Sequence, residues 1–245
     1  MSSAVALKDF ALIIPTLNEA ENIDAILSSV THALSSTEHK YEIIVVDDGS
    51  TDDTVSNVRA WMQKDSRVRI LCRDGERGLA GAVLHGWSQS RAELLGVIDA
   101  DLQHPPELLP QLLSAAQDAD IVIASRYAGD DGTRGWNPLR VAISRLSTIA
   151  ASPFIQKKSL KVADPMSGFF IVHRACIDGV EFQPSGFKLL LEILVRGRIN
   201  LAREIPFHFG LRRAGRSKAG AAVAFHYLHL LGRLSRDMAL RSSEQ

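Results

Sequence analysis

The stretch Tyr41–Thr54, YEIIVVDDGSTDDT, decides the fold. Ile43 to Val46 is an unbroken apolar run, with no polar residue at every second place. Such a strand is buried on both faces, which is the condition of a parallel sheet covered by helices. Asp48-Gly49-Ser50-Thr51 then turns the chain, and Thr51 or Asp52 is placed to cap the next helix. The same unit precedes it. Ala11–Pro15 is a short apolar strand, and a helix beginning near Glu21 carries Ile23, Ile26, Leu27 and Val30 at helical spacing. The pattern continues downstream. Val68–Cys72 is a third strand, and Leu79–Ser90 a helix with Ala82, Val83 and Gly86 on one side. Leu94–Ile98 and Ile121–Ser125 are two more strands. The expectation is an α/β fold: a Rossmann-like, mostly parallel sheet with helices on both faces.

After Tyr127 the rhythm changes. Gly129–Gly135 is a polar, glycine-rich loop, and Arg140–Ile155 is an amphipathic helix. Gly168–Val172 reads as a strand, Lys188–Arg196 as a helix and Asn200–Phe207 as the last strand, before a C-terminal helical extension. At 245 residues, 46% hydrophobic and 23% charged, the chain has the composition of a globular protein, which excludes collagen, coiled coil and wholesale disorder. Net charge is zero, so no global field attracts nucleic acid. The charge is unevenly placed: from Arg196 onward there are ten Lys/Arg against three Asp/Glu. A basic end calls for an anionic partner, either phosphate or a membrane surface. Cys72 and Cys176 each adjoin an apolar run and read as two reduced core thiols, as expected in a reducing compartment. The N-terminus lacks the basic-then-apolar pattern of a signal peptide. The longest uncharged stretches, Leu146–Gln156 and Ala219–Gly232, are shorter than the roughly 20 apolar residues a membrane span needs.

In an open parallel sheet, ligands bind outside the carboxyl ends of the strands. Three polar clusters fall there: Pro15-Thr16-Leu17-Asn18-Glu19, Asp47-Asp48-Gly49-Ser50 and Asp99-Ala100-Asp101-Leu102-Gln103. Carboxylates converging on one edge repel unless a cation or hydrogen-bond donors compensate. Asp99-x-Asp101 can turn two carboxylates toward one divalent ion, and Gln103 can add a neutral oxygen. Oxygen-only ligands suit Mg²⁺ or Mn²⁺. Phosphate oxygens would complete the shell, which makes a nucleoside diphosphate the natural ligand. Two solvated acids in a loop are the plainer reading of the same residues. There is no G-x-G-x-x-G after the first strand and no P-loop. Gly78-Leu79-Ala80-Gly81-Ala82 opens a helix, and Gly81 and Gly86 read as helix–sheet packing positions. His104 precedes Pro105-Pro106-Glu107 and reads as a helix start rather than a catalytic group. His208, His226 and His229 share no metal-ligand spacing with acids. Trp136 reads equally as a lid, a membrane-facing aromatic or a core anchor.

PTLNEAENI, DDGSTDDT, DADLQHPPELLP, SRY, GW-x-x-x-R, DPMSGFF, GFKLLLE and a late R-x-x-x-x-x-K together resemble glycosyltransferase family 2. More narrowly, they resemble the dolichyl-phosphate (polyprenyl-phosphate) mannosyltransferases. The resemblance runs from about Ala11 to about Lys218. It implies a GT-A fold, a nucleotide-sugar donor and a lipid-phosphate acceptor. It implies that Pro15, Leu17 and Glu19 form the first nucleotide-binding loop, and that Val45 and Asp47 recognise the base. It places Asp99, Ala100 and Asp101 at the donor and metal, with Gln103 completing the metal shell. Arg126, Arg212 and Lys218 become basic groups around the phosphates. Arg126, Arg140 and Ser144 become the acceptor-phosphate residues. On this division residues 1–218 are the catalytic domain and 219–245 the extension. Arg77 stands where many relatives carry Lys, and Asp130 and Asp131 occupy a loop that is often glycine-rich.

The chemistry agrees. Sugar transfer develops positive charge at the anomeric carbon and negative charge on the departing diphosphate. A metal at Asp99, Asp101 and Gln103 would neutralise the diphosphate. A phosphate acceptor, with a second pKa of about 6, needs no strong base. Arginines suit its positioning, and in-line attack inverts the anomeric centre. Asp164 reads as part of the DPMSG turn that orients a basic residue, rather than as a base. The expected activity is therefore a metal-dependent, inverting transfer of mannose from GDP-mannose to a polyprenyl phosphate. UDP-glucose is the alternative donor. A non-catalytic nucleotide-sugar- or anionic-lipid-binding protein is the alternative from another class. Localisation is expected to be cytoplasmic, peripheral at a membrane face. Arg140–Ile155 and Ala219–Leu234 are the segments suited to surface contact, and a separate membrane-anchoring partner is the other possibility.

Overall fold

The computed structural model describes residues 9–75, 78–129, 138–156, 160–183, 188–208, 231–233 and 235–236; the side chains of 138–144 and 156 stand outside that description. Among the described residues, seven strands and six α-helices follow one another. The first half is β1 (Phe10–Thr16), α1 (Ala20–Leu34), β2 (Tyr41–Asp47), α2 (Thr54–Lys64), β3 (Val68–Cys72), α3 (Leu79–Ser88) and β4 (Leu94–Val97). The second half is α4 (Leu109–Ala115), β5 (Ile121–Ser125), α5 (Pro138–Gln156), β6 (Phe170–His173), α6 (Leu189–Arg196) and β7 (Ala202–Pro206). The sheet order is β3-β2-β1-β4-β6-β5-β7. Every pairing is parallel except those of β6, which runs antiparallel to both β4 and β5.

Alternation along each strand divides the core in two. Phe10, Leu12 and Ile14 pack with α1, α2 and α4 on one face. Ala11 and Ile13 pack with α3, α5 and α6 on the other. Both faces are dry, which is why the strands read as continuous apolar runs. A Cβ on Gly86 of α3 would stand 2.9 Å from Ile13 Cδ1 and 3.0 Å from Val46 Cγ2, so that glycine lets the helix lie directly on the sheet. Gly81 instead faces the Arg73 guanidinium.

Three expectations need correcting. Cys72 is exposed, because β3 is an edge strand whose last residue leaves the core; Cys176 is buried as expected. The helix after the DDGS turn starts later than Thr51 or Asp52: Asp53 is its boundary residue, and Asp52 caps from one residue further out by accepting the Thr54 N–H at 3.1 Å. The strand read at Gly168–Val172 begins at Phe170 and is reversed. The reversal matters to the site. An antiparallel strand enters the sheet at the edge where its neighbours leave, so residues 164–169 join the carboxyl ends of β1, β2, β4 and β5. Among the described residues, no helix is long and apolar enough to cross a membrane.

Candidate active site

The Asp99–Gln103 turn leaves β4 at the centre of that edge. Ile98 still bonds back to Ile13 O, at 3.1 Å. The turn is tight because Leu102 adopts φ 60°, a left-handed conformation that costs a branched residue about 1–2 kcal/mol. The Gln103 backbone N–H donates to Asp101 Oδ1 at 3.1 Å, which holds the Asp101 carboxyl against the backbone of the turn. Asp101 and Gln103 are 8% and 7% exposed, while the Asp99 carboxyl is 30% exposed. Two carboxylates and one amide oxygen from a single turn form an oxygen-only donor set that leaves room in a six-fold shell for ligand oxygens, so the residues suit Mg²⁺ or Mn²⁺. Among the described residues, no group of three or more His, Cys, Asp or Glu is placed to hold a metal, so Asp99 and Asp101 would share such an ion with a neutral oxygen and the ligand.

Beside this turn lies a buried ion pair. Arg126 follows β5, and Asp164 begins the DPMSG segment. Asp164 is fully buried. Its Oδ2 accepts Arg126 N at 3.0 Å and Nε at 2.7 Å, and its Oδ1 accepts Nη2 at 2.6 Å. Burial works to lower the Arg126 pKa, but hydrogen bonds and charge from Asp164, with Tyr127 and Asp99, together push it up. Lys188, just before α6, is half-buried in the same field. Burial and the Arg126 charge lower its pKa to about 8, against the opposing pull of Asp164 and Asp99. His104 packs against Phe169 and Phe207, ring centroids at 5.8 and 5.5 Å, with Nδ1 3.6 Å from Asp99 Oδ2. Burial first, then the Arg126 charge, lowers its pKa to about 3, so the contact with Asp99 is made by a neutral imidazole. Gly168 closes the group: a Cβ there would stand 2.8 Å from Asp99 Oδ2.

The loops after β1 and β2 form the second half of the edge. Asp47 is 1% exposed and saturated by its own surroundings. Its Oδ1 accepts Gly49 N at 3.0 Å and Ser50 N at 2.8 Å, and its Oδ2 accepts Thr16 Oγ1 at 3.1 Å and the Ser50 hydroxyl. Asp48 bonds Arg73 Nη1 at 2.8 Å and accepts Gly78 N at 2.7 Å, joining β2 and β3 to the start of α3. Asn18, at φ 55°, accepts Thr51 N–H at 2.8 Å, and Glu19 N–H donates to Thr54 Oγ1 at 2.8 Å. A cleft of about 440 Å³ opens between these loops, lined by Asn18, Glu19, Asn22, Thr51 and Asp52.

Pro15, Leu17, Glu19, Asp47, Asp99, Ala100, Asp101, Gln103 and Arg126 thus stand at one edge of the sheet, while Val45 puts its side chain in the core. Arg140 and Ser144 lie in the first turns of α5, but their side chains are outside the described residues, as are Arg77, Asp130–Trp136, Arg212 and Lys218. The structure adds His104, Lys188 and Gly168 to the site, and gives Asp48, already read in the Asp47–Ser50 cluster, its bonds to Arg73 and Gly78. Lys188 had a signal, a cation directly before the apolar LLLE run. His104 had none, because the rings that bury it come from segments far along the chain.

The pattern described as glycosyl transferase family 2 matches residues 11–180. Dolichol-phosphate mannosyltransferase of Pyrococcus furiosus is 39% identical over 225 residues, 91% of this chain and 63% of that protein. The chain therefore spans less than two thirds of that relative. Dolichol-phosphate mannosyltransferase of Saccharomyces cerevisiae is 34% identical over 238 residues, 92% of this chain and 86% of that protein. Among solved structures, glucosyl-3-phosphoglycerate synthase from Mycobacterium tuberculosis in complex with Mn²⁺, UDP-glucose and phosphoglyceric acid superposes with TM-score 0.69. It is 21% identical and covers 93% of this chain and 80% of its own. The same enzyme with Mg²⁺ and UDP superposes with TM-score 0.68, at 21% identity and the same coverage. At that identity the structures establish the fold, the GT-A arrangement of a mostly parallel sheet between helices. The family pattern covers the strands and turns that build the edge, and a relative of similar length matches nearly end to end, so the chain belongs to glycosyl transferase family 2.

Proposed function

We propose that this chain transfers mannose from GDP-mannose to a polyprenyl phosphate of the dolichyl type, with inversion at the anomeric carbon. The observation that carries the proposal is the Asp99–Gln103 turn standing beside the buried Arg126–Asp164 pair. One handles a leaving diphosphate; the other holds a cation fixed where an incoming phosphate needs one. The names of the curated relatives support the acceptor and the sugar.

Pro15, Leu17, Glu19, Asp47 and Ala100 form the donor-binding wall, Val45 supports it from the core behind, and Arg212 and Lys218 serve it as basic groups. Asp47 serves it by holding the DDGS turn in shape, since protein donors already occupy its oxygens. Asp99, Asp101 and Gln103 hold Mg²⁺ or Mn²⁺, which when bound offsets charge on the donor diphosphate. Arg126, Arg140 and Ser144 hold the acceptor phosphate. An acceptor oxygen forms the new bond to the anomeric carbon as the bond from that carbon to the diphosphate breaks. The acceptor is already ionised, so no residue has to remove a proton at that step. The neutral His104 and the nearby rings help exclude water that would compete with it. Residues 1–218 form the catalytic domain and 219–245 an extension. The protein works peripherally at the cytoplasmic face of a membrane.

A panel of radiolabelled nucleotide sugars with a short polyprenyl phosphate tests this. GDP-mannose should label the lipid, chelator should stop the reaction, and Mn²⁺ or Mg²⁺ should restore it. Asp101→Asn should lower turnover at least a hundredfold, roughly the loss of one main electrostatic group, with the melting temperature kept. Full turnover in excess chelator would exclude the metal. Transfer from UDP-glucose and not from GDP-mannose would replace the donor.

A further inference from the structure

We propose that Glu204 is a positioning residue that sets the Arg126 guanidinium through Asp164. The inference deepens the proposed transfer reaction and rests on it only for which substrate Arg126 holds. Glu204 lies on the edge strand β7, opposite Ile123 of β5. A charged residue on an edge strand ordinarily serves solubility and keeps other strands off. This one turns inward to a distant backbone. Its Oε2 accepts Ala163 N–H at 2.8 Å, and its Oε1 accepts Asp164 N–H at 2.9 Å. One carboxylate thus grips two consecutive amides, which fixes the plane of the peptide that carries the Asp164 side chain. Asp164 in turn gives both oxygens to Arg126, reaching N, Nε and Nη2.

The arrangement adds negative charge next to a carboxylate that is already fully buried. Like charges at close range disfavour each other, so charge alone does not explain Glu204. What it supplies is geometry. Asp164 can meet Arg126 from two sides only if its Cα is held at one height beside β5, and the two amide bonds from β7 hold it there. Ser167 pins the other end of the turn, donating to Ala124 O at 2.7 Å.

The test compares Glu204→Ala and Glu204→Gln in the full chain. Gln keeps one acceptor oxygen and sets an NH₂ group against the other amide, so its effect should lie between native and Ala; it also serves if the alanine variant does not fold. The Arg126 Nε–H resonance, identified in ¹⁵N-labelled protein by its loss in Arg126→Lys, should shift or broaden in Glu204→Ala. The Arg174 Nε–H, bonded to Ala92 O at 2.7 Å, should not move. In turnover, Glu204→Ala should raise the KM for polyprenyl phosphate roughly tenfold and leave the donor KM within about twofold, as supporting residues around a functional group do. In an Arg126→Ala background the same change should add nothing, because the two act in series. An unmoved Arg126 resonance, or additive effects on KM, overturns the proposal. If no nucleotide sugar is turned over by the native chain, the functional reading fails, and the resonance alone decides the role of Glu204.

Discussion

At Gly168 the absent side chain does the positioning. A Cβ would stand 2.8 Å from Asp99 Oδ2, 3.3 Å from Asp99 Cγ and 3.3 Å from His104 Cε1. Carbon and oxygen do not approach so closely, so Gly168→Ala has to push the Asp99 carboxyl out of its place. The cost to stability is modest, about 1–2 kcal/mol, because a short, part-exposed carboxyl can swing. The cost to the site is larger. Mn²⁺ titration in the presence of GDP should give at least tenfold weaker binding than native, with a melting temperature within a few degrees. Unchanged Mn²⁺ affinity would mean that Asp99 is not a ligand. His104 gives a second residue-scale prediction, in metal-free protein. Its folded pKa, about 3, lies below the ordinary 6.5 because the ring is buried and Arg126 is near. Between those values the unfolded chain binds the extra proton. Its contribution is therefore fully present above pH 6.5 and lost as pH falls toward 3, on the order of 5 kcal/mol across the window. Urea midpoints should fall through that window less steeply for His104→Gln than for native protein. Parallel slopes would count against a buried neutral imidazole.

At the scale of elements, α3 lies where it does because Gly86 faces Ile13 and Val46 at about 3 Å. Gly86→Val should lift α3 from the sheet and cost roughly 1–3 kcal/mol, less a few tenths recovered in helix propensity. A urea midpoint equal to native would show that α3 has slack there. The first five strands and the helices between them were legible because each strand but the edge strand β3 is apolar on both faces and each helix carries one apolar stripe. The direction of β6 was not. FIVH is as apolar read backwards as forwards, and what reverses it is the path of the chain from α5 through the Asp164 turn. The site divides in the same way. Asp99, Asp101 and Gln103 are consecutive in one turn and could be read locally. The pairing of Asp164 with Arg126 was foreseen only as an orienting role. His104 and Glu204 owe their roles to partners on other elements, Phe169 and Phe207 for one and the Asp164 turn for the other. Leu102 at φ 60° is a further case, since no leucine announces a left-handed turn.

For the whole molecule, the proposed acceptor stays in a bilayer, while no helix among the described residues is long and apolar enough to cross one. Sequence alone left two candidate surfaces. The structure treats them differently. On α5, Leu146 and Ile149 are each 64% exposed, one turn apart, beside an exposed Arg145. Ala151 and Ile155, on the opposite side of the helix, are buried in the core. In the C-terminal extension, the described end faces inward. Leu231 packs against the core, and Arg233 Nη2 donates to Gln183 O at 2.8 Å and lies 3.9 Å from Glu192. The apolar contact should therefore come from α5, and the salt-sensitive part from the basic end of the chain, which carries ten Lys/Arg against three Asp/Glu. Each buried leucine or isoleucine adds roughly 1.5–3 kcal/mol to such a contact, enough for reversible attachment and far short of insertion. Co-sedimentation with anionic vesicles should bring the protein down at low salt and release much of it at 0.5 M salt, about three times physiological ionic strength. Leu146→Glu with Ile149→Glu should leave it in the supernatant in both, with an unchanged melting temperature, since neither side chain packs in the core. Binding that survives the double substitution would move the contact to the extension. A native protein that never sediments would leave attachment to a separate membrane partner.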